Sequence, residues 1–194
     1  GVYRLHQHGN GVAAMTLADL RPWEILEAET VFRVPRRLEV IREAVRLPDG
    51  RVVPEYWRFI MAVFSVMYAE TEDGRVIVLR QYRHGPRTTV LSLPAGHVEA
   101  GEEPAAAREL LEETGYQADV WQPLGSFTTA ANAQCATGHA FRATGCRKVA
   151  EPDSGDLEET EVLLLPRAEL VAAVRANRFL VAGDLSALAL AMIG

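Results

Sequence analysis

Glu109, Glu112 and Glu113 stand at i, i+3 and i+4 of the run Arg108-Glu-Leu-Leu-Glu-Glu-Thr-Gly115. On an α-helix that spacing puts three carboxylates on one face. Like charges one turn apart cost roughly 0.2–0.5 kcal/mol per pair unless a cation neutralises them. Arg108, four residues before Glu112, is spaced to brace it. Clustered hard oxygens suit Mg²⁺ or Mn²⁺ rather than zinc, which takes His and Cys. The substrate such an ion favours is a phosphate. A solvated charged face is the plain alternative for a Glu-rich helix. Glycines at both ends, Gly96 and Gly101 before it and Gly115 after it, together with the arginine, favour a site.

The element that must position these carboxylates is bounded by local chemistry. Ala105, Ala106, Ala107, Leu110 and Leu111 are strong helix formers. Pro104 suits a first helical turn, where its missing N–H is not needed. Glu102 and Glu103 meet the positive end of the helix dipole. Gly115 follows the last turn, where a left-handed residue ends a helix.

With Gly96 upstream, these residues resemble the signature box of the Nudix hydrolases. That box reads Gly, five residues, Glu, seven residues, Arg-Glu-aliphatic-any-Glu-Glu-any-Gly-aliphatic. Gly96, Glu102, Arg108, Glu109, Leu110, Glu112, Glu113 and Gly115 occupy its fixed positions. Five residues rather than seven separate Glu102 from Arg108, which trims the loop or the first turn. Tyr116 stands at the last aliphatic position. Beyond the box, Trp23-Glu-Ile-Leu-Glu, Val45 to Val53, Val78 to His84 and Leu93-Pro-Ala-Gly96 follow in an order similar to the ADP-ribose and nucleoside-diphosphate-sugar pyrophosphatase branch.

The resemblance implies an α+β Nudix fold, a mixed β-sheet sandwiched between helices, with an N-terminal β-hairpin region. It divides the chain into an arm (1–21), N-terminal strands that serve dimerisation (22–58) and a Nudix hydrolase domain (59–194). It also implies a homodimer in which those strands help build the partner's substrate site. Glu109, Glu112, Glu113 and the Ala95 backbone carbonyl are the expected metal ligands. Arg108 and Glu112 join the catalytic set. The general base is expected on the acidic loop Asp153 to Glu161. Glu158 is the first choice and Glu159 the second, with Asp156 and Glu161 as alternatives. Arg83 is a candidate for the substrate diphosphate, because guanidinium pairs well with phosphate oxygens; a surface salt bridge is its alternative. Trp23 stands where this branch recruits its N-terminal strands for base recognition. Tyr56 and Trp57 either stack on a base or pack the core. His84 reads as a strand-end polar residue.

The expected activity is Mg²⁺-dependent (or Mn²⁺-dependent) cleavage of a nucleoside diphosphate sugar to a nucleoside monophosphate and a sugar phosphate. Many ADP-ribose enzymes carry a proline about sixteen residues after the box, where this chain has Ala131 and Asn132. GDP-mannose or another nucleotide sugar therefore stays open beside ADP-ribose. One rival is a house-cleaning nucleoside triphosphatase or RNA 5′-end pyrophosphohydrolase. Another is a non-catalytic nucleotide-sugar sensor, against which the retained box glutamates argue.

Composition sets the bounds. A chain of 194 residues, 48% hydrophobic, suits one domain with a proper core. A net charge of −6 argues against a nucleic-acid partner held on a broad basic surface. Cys135 and Cys146 are too few for a disulfide framework, and two buried thiols in a reducing cytoplasm is the expected state. The longest apolar run, Phe59 to Ala69, is too short to span a bilayer, and no signal-peptide pattern opens the sequence.

Periodicity predicts a strand over Trp23 to Val34. Hairpins follow at Leu38–Leu47 with Arg51–Ile60, and at Met61–Tyr68 with Val76–Tyr82. The second pair, nearly continuously apolar, belongs in a sheet centre. Further strands are expected at 90–93, 118–127, 139–144 and 161–165. Helices are expected at 167–175 and 184–193.

Overall fold

The computed structural model describes residues 20–97, 105–155 and 159–193. Strands β1 (Glu24–Val34), β2 (Leu38–Arg46) and β3 (Val52–Met61) form an antiparallel sheet of their own. Pro48-Asp49-Gly50 turns β2 into β3, and the Asp49 carboxylate accepts the Arg51 backbone N–H at 3.0 Å. That local bond is why aspartate favours turns.

The main sheet is mixed and eight-stranded. Its spine runs β11 (Thr160–Pro166), β5 (Arg75–Arg83), β4 (Phe64–Thr71), β10 (Thr137–Lys148), β8 (Tyr116–Gln117). β6 (Thr88–Ser92) pairs with β5, β7 (Ala95–His97) with β4, and β9 (Val120–Thr128) with β10. β4 and β10 run parallel, and the other pairs antiparallel.

β4 and β5 are apolar on both faces because helices cover both. Successive strand residues point to opposite sides. Val66, Tyr68, Val76 and Val78 pack with Leu170 of α2 (Arg167–Arg175) and with Ala187 and Leu188 of α3 (Ala182–Ile193). Met67, Ala69 and Ile77 pack with Ala106 and Leu110 of α1 (Ala105–Thr114), together with Ala143 and Cys146. Each fully buried Val, Leu, Ile or Met side chain contributes about 1.5–3 kcal/mol. The α+β arrangement, a mixed sheet between helices, is the one expected.

Several boundaries differ from expectation. β3 runs on to Met61, and β4 starts only at Phe64, because the chain changes sheets at Ala62-Val63. β10 has 12 residues rather than the short run 139–144. Arg142, Arg147 and Lys148 hide its alternation, while ladders to β4 on one side and to β9 and β8 on the other sustain it. α3 starts two residues early, at Ala182. Cys146 is buried, but Cys135 only half so. Among the described residues, no helix is long and apolar enough to cross a membrane.

Candidate active site

α1 buries Ala105, Ala106, Leu110 and Thr114 and turns its charged side toward a cleft. It ends at Gly115, whose φ is 75° and whose N–H donates to the Leu111 carbonyl at 2.8 Å. The carbonyls that a helix C-terminus leaves open are used to pin the acidic loop. Asp153 N–H donates to the Glu112 carbonyl at 2.8 Å, and Val149 and Ala150 N–H donate to Gly115 at 2.9 and 3.1 Å.

The opposite wall is β7. Ala95 N–H donates to Glu113 Oε2 at 2.9 Å, so the strand that carries the expected Ala95 carbonyl ligand is tied to the box helix. Gly96 lies hard against Glu109: a Cβ built there would sit 2.0 Å from Glu109 Cδ. Only glycine admits that approach. The obstructing atoms belong to a flexible side chain, so Gly96→Ala should fold, displace the Glu109 carboxylate, and lower turnover by about tenfold or more. Thermal melting alongside initial rates checks this; wild-type turnover would show that the Glu109 position does not matter.

Between these walls lies a cleft of about 510 Å³, lined by Glu109, Glu112, Glu113, Arg108, Ala95, Gly96, His97, Phe64, Val66, Arg83, Ser154, Val181, Gly183 and Asp184. Arg108 bridges two of the carboxylates, with Nη2 2.7 Å from Glu109 and Nη1 2.8 Å from Glu112. Burial pushes the Glu109 carboxyl above its ordinary range, against the pull of Arg108 and with the push of Glu112. Burial also pushes Asp184 up to about 7, opposed by the Leu93 backbone and the charge of Arg83.

The oxygens that face the cleft are of the hard type that Mg²⁺ and Mn²⁺ take, and a raised Glu109 is a carboxylate in want of positive charge. Here that charge comes from Arg108. Among the described residues no three His, Cys, Asp or Glu side chains converge as a metal cage. An ion would therefore have to draw Glu109 and Glu112 away from Arg108. The Arg108–Glu112 pair is 44% and 40% exposed, and exposed pairs are worth at most about 1 kcal/mol. The donor chemistry thus fits a divalent ion, with little cost in freeing Glu112 and more in freeing Glu109, whose side chain is 17% exposed.

The cleft brings together Arg83, Ala95, Arg108, Glu109, Glu112 and Glu113 of the residues singled out in the sequence. It does not include Glu159, which lines a separate groove with Arg80, Gln81, Tyr82, Thr89, Thr160 and Glu161, where Glu161 pairs with Arg80. Glu158, Asp156 and Glu102 lie outside the described residues. Trp23, just before β1, and Tyr56 of β3 meet edge to face at 5.5 Å. The Tyr56 hydroxyl donates to the Asn132 carbonyl, so Tyr56 packs rather than standing free. Sequence reasoning missed the α3 contribution. A signal existed: Asp184 is the single charge in Ala-Gly-Asp-Leu-Ser-Ala-Leu-Ala-Leu-Ala-Met-Ile.

The NUDIX domain matches residues 59–181. The chain is 36% identical over 118 residues to an ADP-ribose pyrophosphatase of Mycobacterium tuberculosis, covering 58% of this chain and 56% of that one. It thus spans little more than half the length of that relative. It is 32% identical over 139 residues to a methanol dehydrogenase activator of Bacillus methanolicus, covering 70% and 72%. A solved structure described as an ADP compounds hydrolase superimposes with a TM-score of 0.78 at 23% identity, over 90% of this chain and 95% of that one. The box on α1, the mixed sheet that carries it and the domain match agree, and the chain belongs to the NUDIX family.

Proposed function

We propose that this chain hydrolyses the diphosphate linkage of a nucleoside diphosphate sugar, with ADP-ribose as first candidate, to a nucleoside monophosphate and a sugar phosphate. The observation that carries this reading is the cleft lined by three box carboxylates and by an arginine from β5. A diphosphate resists attack because its anionic oxygens repel an incoming hydroxide. Glu109, Glu112, Glu113 and the Ala95 carbonyl would hold Mg²⁺ or Mn²⁺, which when bound neutralises that charge and activates water. Arg83 binds the diphosphate oxygens, a task its planar donors suit. Arg108 neutralises Glu109 and Glu112 before an ion takes its place. Glu158 remains the first choice for the base. Its support is indirect: Ser154 of the same loop lines the cleft.

The reading extends to a homodimer. β1 is exposed along all 11 of its residues, and Ile25, Val31, Phe32, Trp57, Phe59 and Met61 leave large apolar groups uncovered on the three-stranded sheet. Apolar patches of that kind mark interfaces. The domain division 1–21, 22–58 and 59–194 belongs to the same proposal, with 22–58 as the dimerisation region, and so does a cytoplasmic setting.

A phosphatase-coupled phosphate-release screen tests the function. Nucleotide sugars, dinucleotides and nucleoside triphosphates are supplied with and without Mg²⁺. Release from nucleotide sugars, abolished by chelation, is the expected outcome. Release from triphosphates alone would instead favour a house-cleaning enzyme. Binding of nucleotide sugars with no release would favour a sensor.

A further inference from the structure

Asp184 is 2% exposed, lines the cleft, and has no hydrogen-bond partner for Oδ2 among the described residues. A buried carboxylate is costly unless charge or hydrogen bonds compensate it. It stands in the first turn of a helix that is otherwise free of charge. The helix dipole helps, but only modestly. The basic side chain whose charge reaches it is Arg83, which lines the same cleft.

Arg83 is also held by Gln81. The Gln81 amide, 4% exposed, satisfies its neighbours only with its oxygen turned toward Arg83. It then accepts from Arg83 Nη2 at 2.8 Å and Nε at 3.2 Å, and from the Ser92 hydroxyl at 2.5 Å. The same cleft contains Glu109 and Glu112, which already attract Arg108. A loosely held Arg83 would be drawn to them, where it would be lost to a phosphate and would compete with a metal ion.

We propose that Asp184 is a positioning residue: with Gln81 it keeps the Arg83 guanidinium on the α3 wall of the cleft, apart from the box carboxylates and open to a diphosphate oxygen. This rests on the reading of the cleft as a diphosphate site. Two effects of the Asp184 charge oppose each other. It repels an incoming phosphate directly, and it preorganises the group that binds one. Arg carries large rotamer entropy, and fixing it beforehand lowers the cost of binding, so preorganisation prevails.

The test measures inorganic pyrophosphate binding by calorimetry without divalent ion, and KM and kcat for ADP-ribose with Mg²⁺. It compares the wild type, Asp184→Asn, Arg83→Ala and the double variant. Asp184→Asn should weaken pyrophosphate binding about tenfold and raise KM by a larger factor than it lowers kcat. Its melting temperature should not fall, since a neutral amide replaces a buried charge; a structural role would lower it. In the Arg83→Ala background the same substitution should add nothing. Unchanged or tighter pyrophosphate binding by Asp184→Asn overturns the proposal, as does a loss that adds in full to that of Arg83→Ala. Asp184→Ser gives the same readout should the first variant fold poorly. If the pyrophosphate pattern holds while the wild type leaves ADP-ribose intact, the proposed function falls and the role of Asp184 stands.

Discussion

Glu113→Gln is expected to lower kcat by about 10²- to 10³-fold at saturating Mg²⁺, the loss usual when a group that stabilises developing charge is removed. The fold should hardly notice. Glu113 Oε2 accepts the Ala95 N–H at 2.9 Å, and a glutamine keeps an oxygen for that bond and the same volume. What disappears is the negative charge, and a neutral amide is a poor ligand for a hard cation that prefers carboxylates. The comparison is sharper than truncation to alanine, which would also release β7 from the box helix and confuse positioning with charge. Steady-state rates with rising Mg²⁺, alongside thermal melting, check the prediction. Wild-type turnover with an unchanged Mg²⁺ requirement would remove Glu113 from the metal site and leave it as a tether for Ala95.

The box was legible because its information is local. Residue type and one-turn spacing place Glu109, Glu112 and Glu113 on one face whatever the rest of the chain does, and Gly115 ends α1 by its own conformational freedom. The central position of β4 and β5 was legible for a related reason: strands apolar on both faces require cover on both. The α3 wall was not legible in this way. Periodicity can announce an apolar helix, but where its single carboxylate lands depends on how α3 crosses the sheet. Glu159 lines the groove beside Arg80 and Glu161, which its sequence could not announce, because a loop's residues do not say toward which groove they face. β1 illustrates a third limit. Its apolar residues read as a strand, yet nothing local distinguishes a strand covered by its own chain from one left bare on its own sheet.

Gly115→Ala should be the most destabilising single-atom addition at the site, and the reason separates it from Gly96→Ala. At φ 75° an L-residue carries a conformational cost of about 1–2 kcal/mol. The added Cβ would also fall 2.1 Å from the Ala150 carbonyl oxygen. That obstacle is backbone and cannot rotate aside as the Glu109 side chain can. It is also the stretch of backbone that Gly115 holds, through the N–H groups of Val149 and Ala150. Relief of the clash therefore breaks the bonds that pin the acidic loop to α1, and a destabilisation of about 3 kcal/mol or more follows. At roughly 2–4 °C per kcal/mol for a chain of this size, the melting temperature should drop by about 6–12 °C. Turnover should fall below the wild-type value even at temperatures where the variant is folded, because Ser154, which lines the cleft, follows Ala150 in the same loop. Calorimetric melting and rates taken well below the transition separate the two effects. A shift of less than about 2 °C would mean that the loop yields freely, and its tie to the helix would then have no part in setting the site.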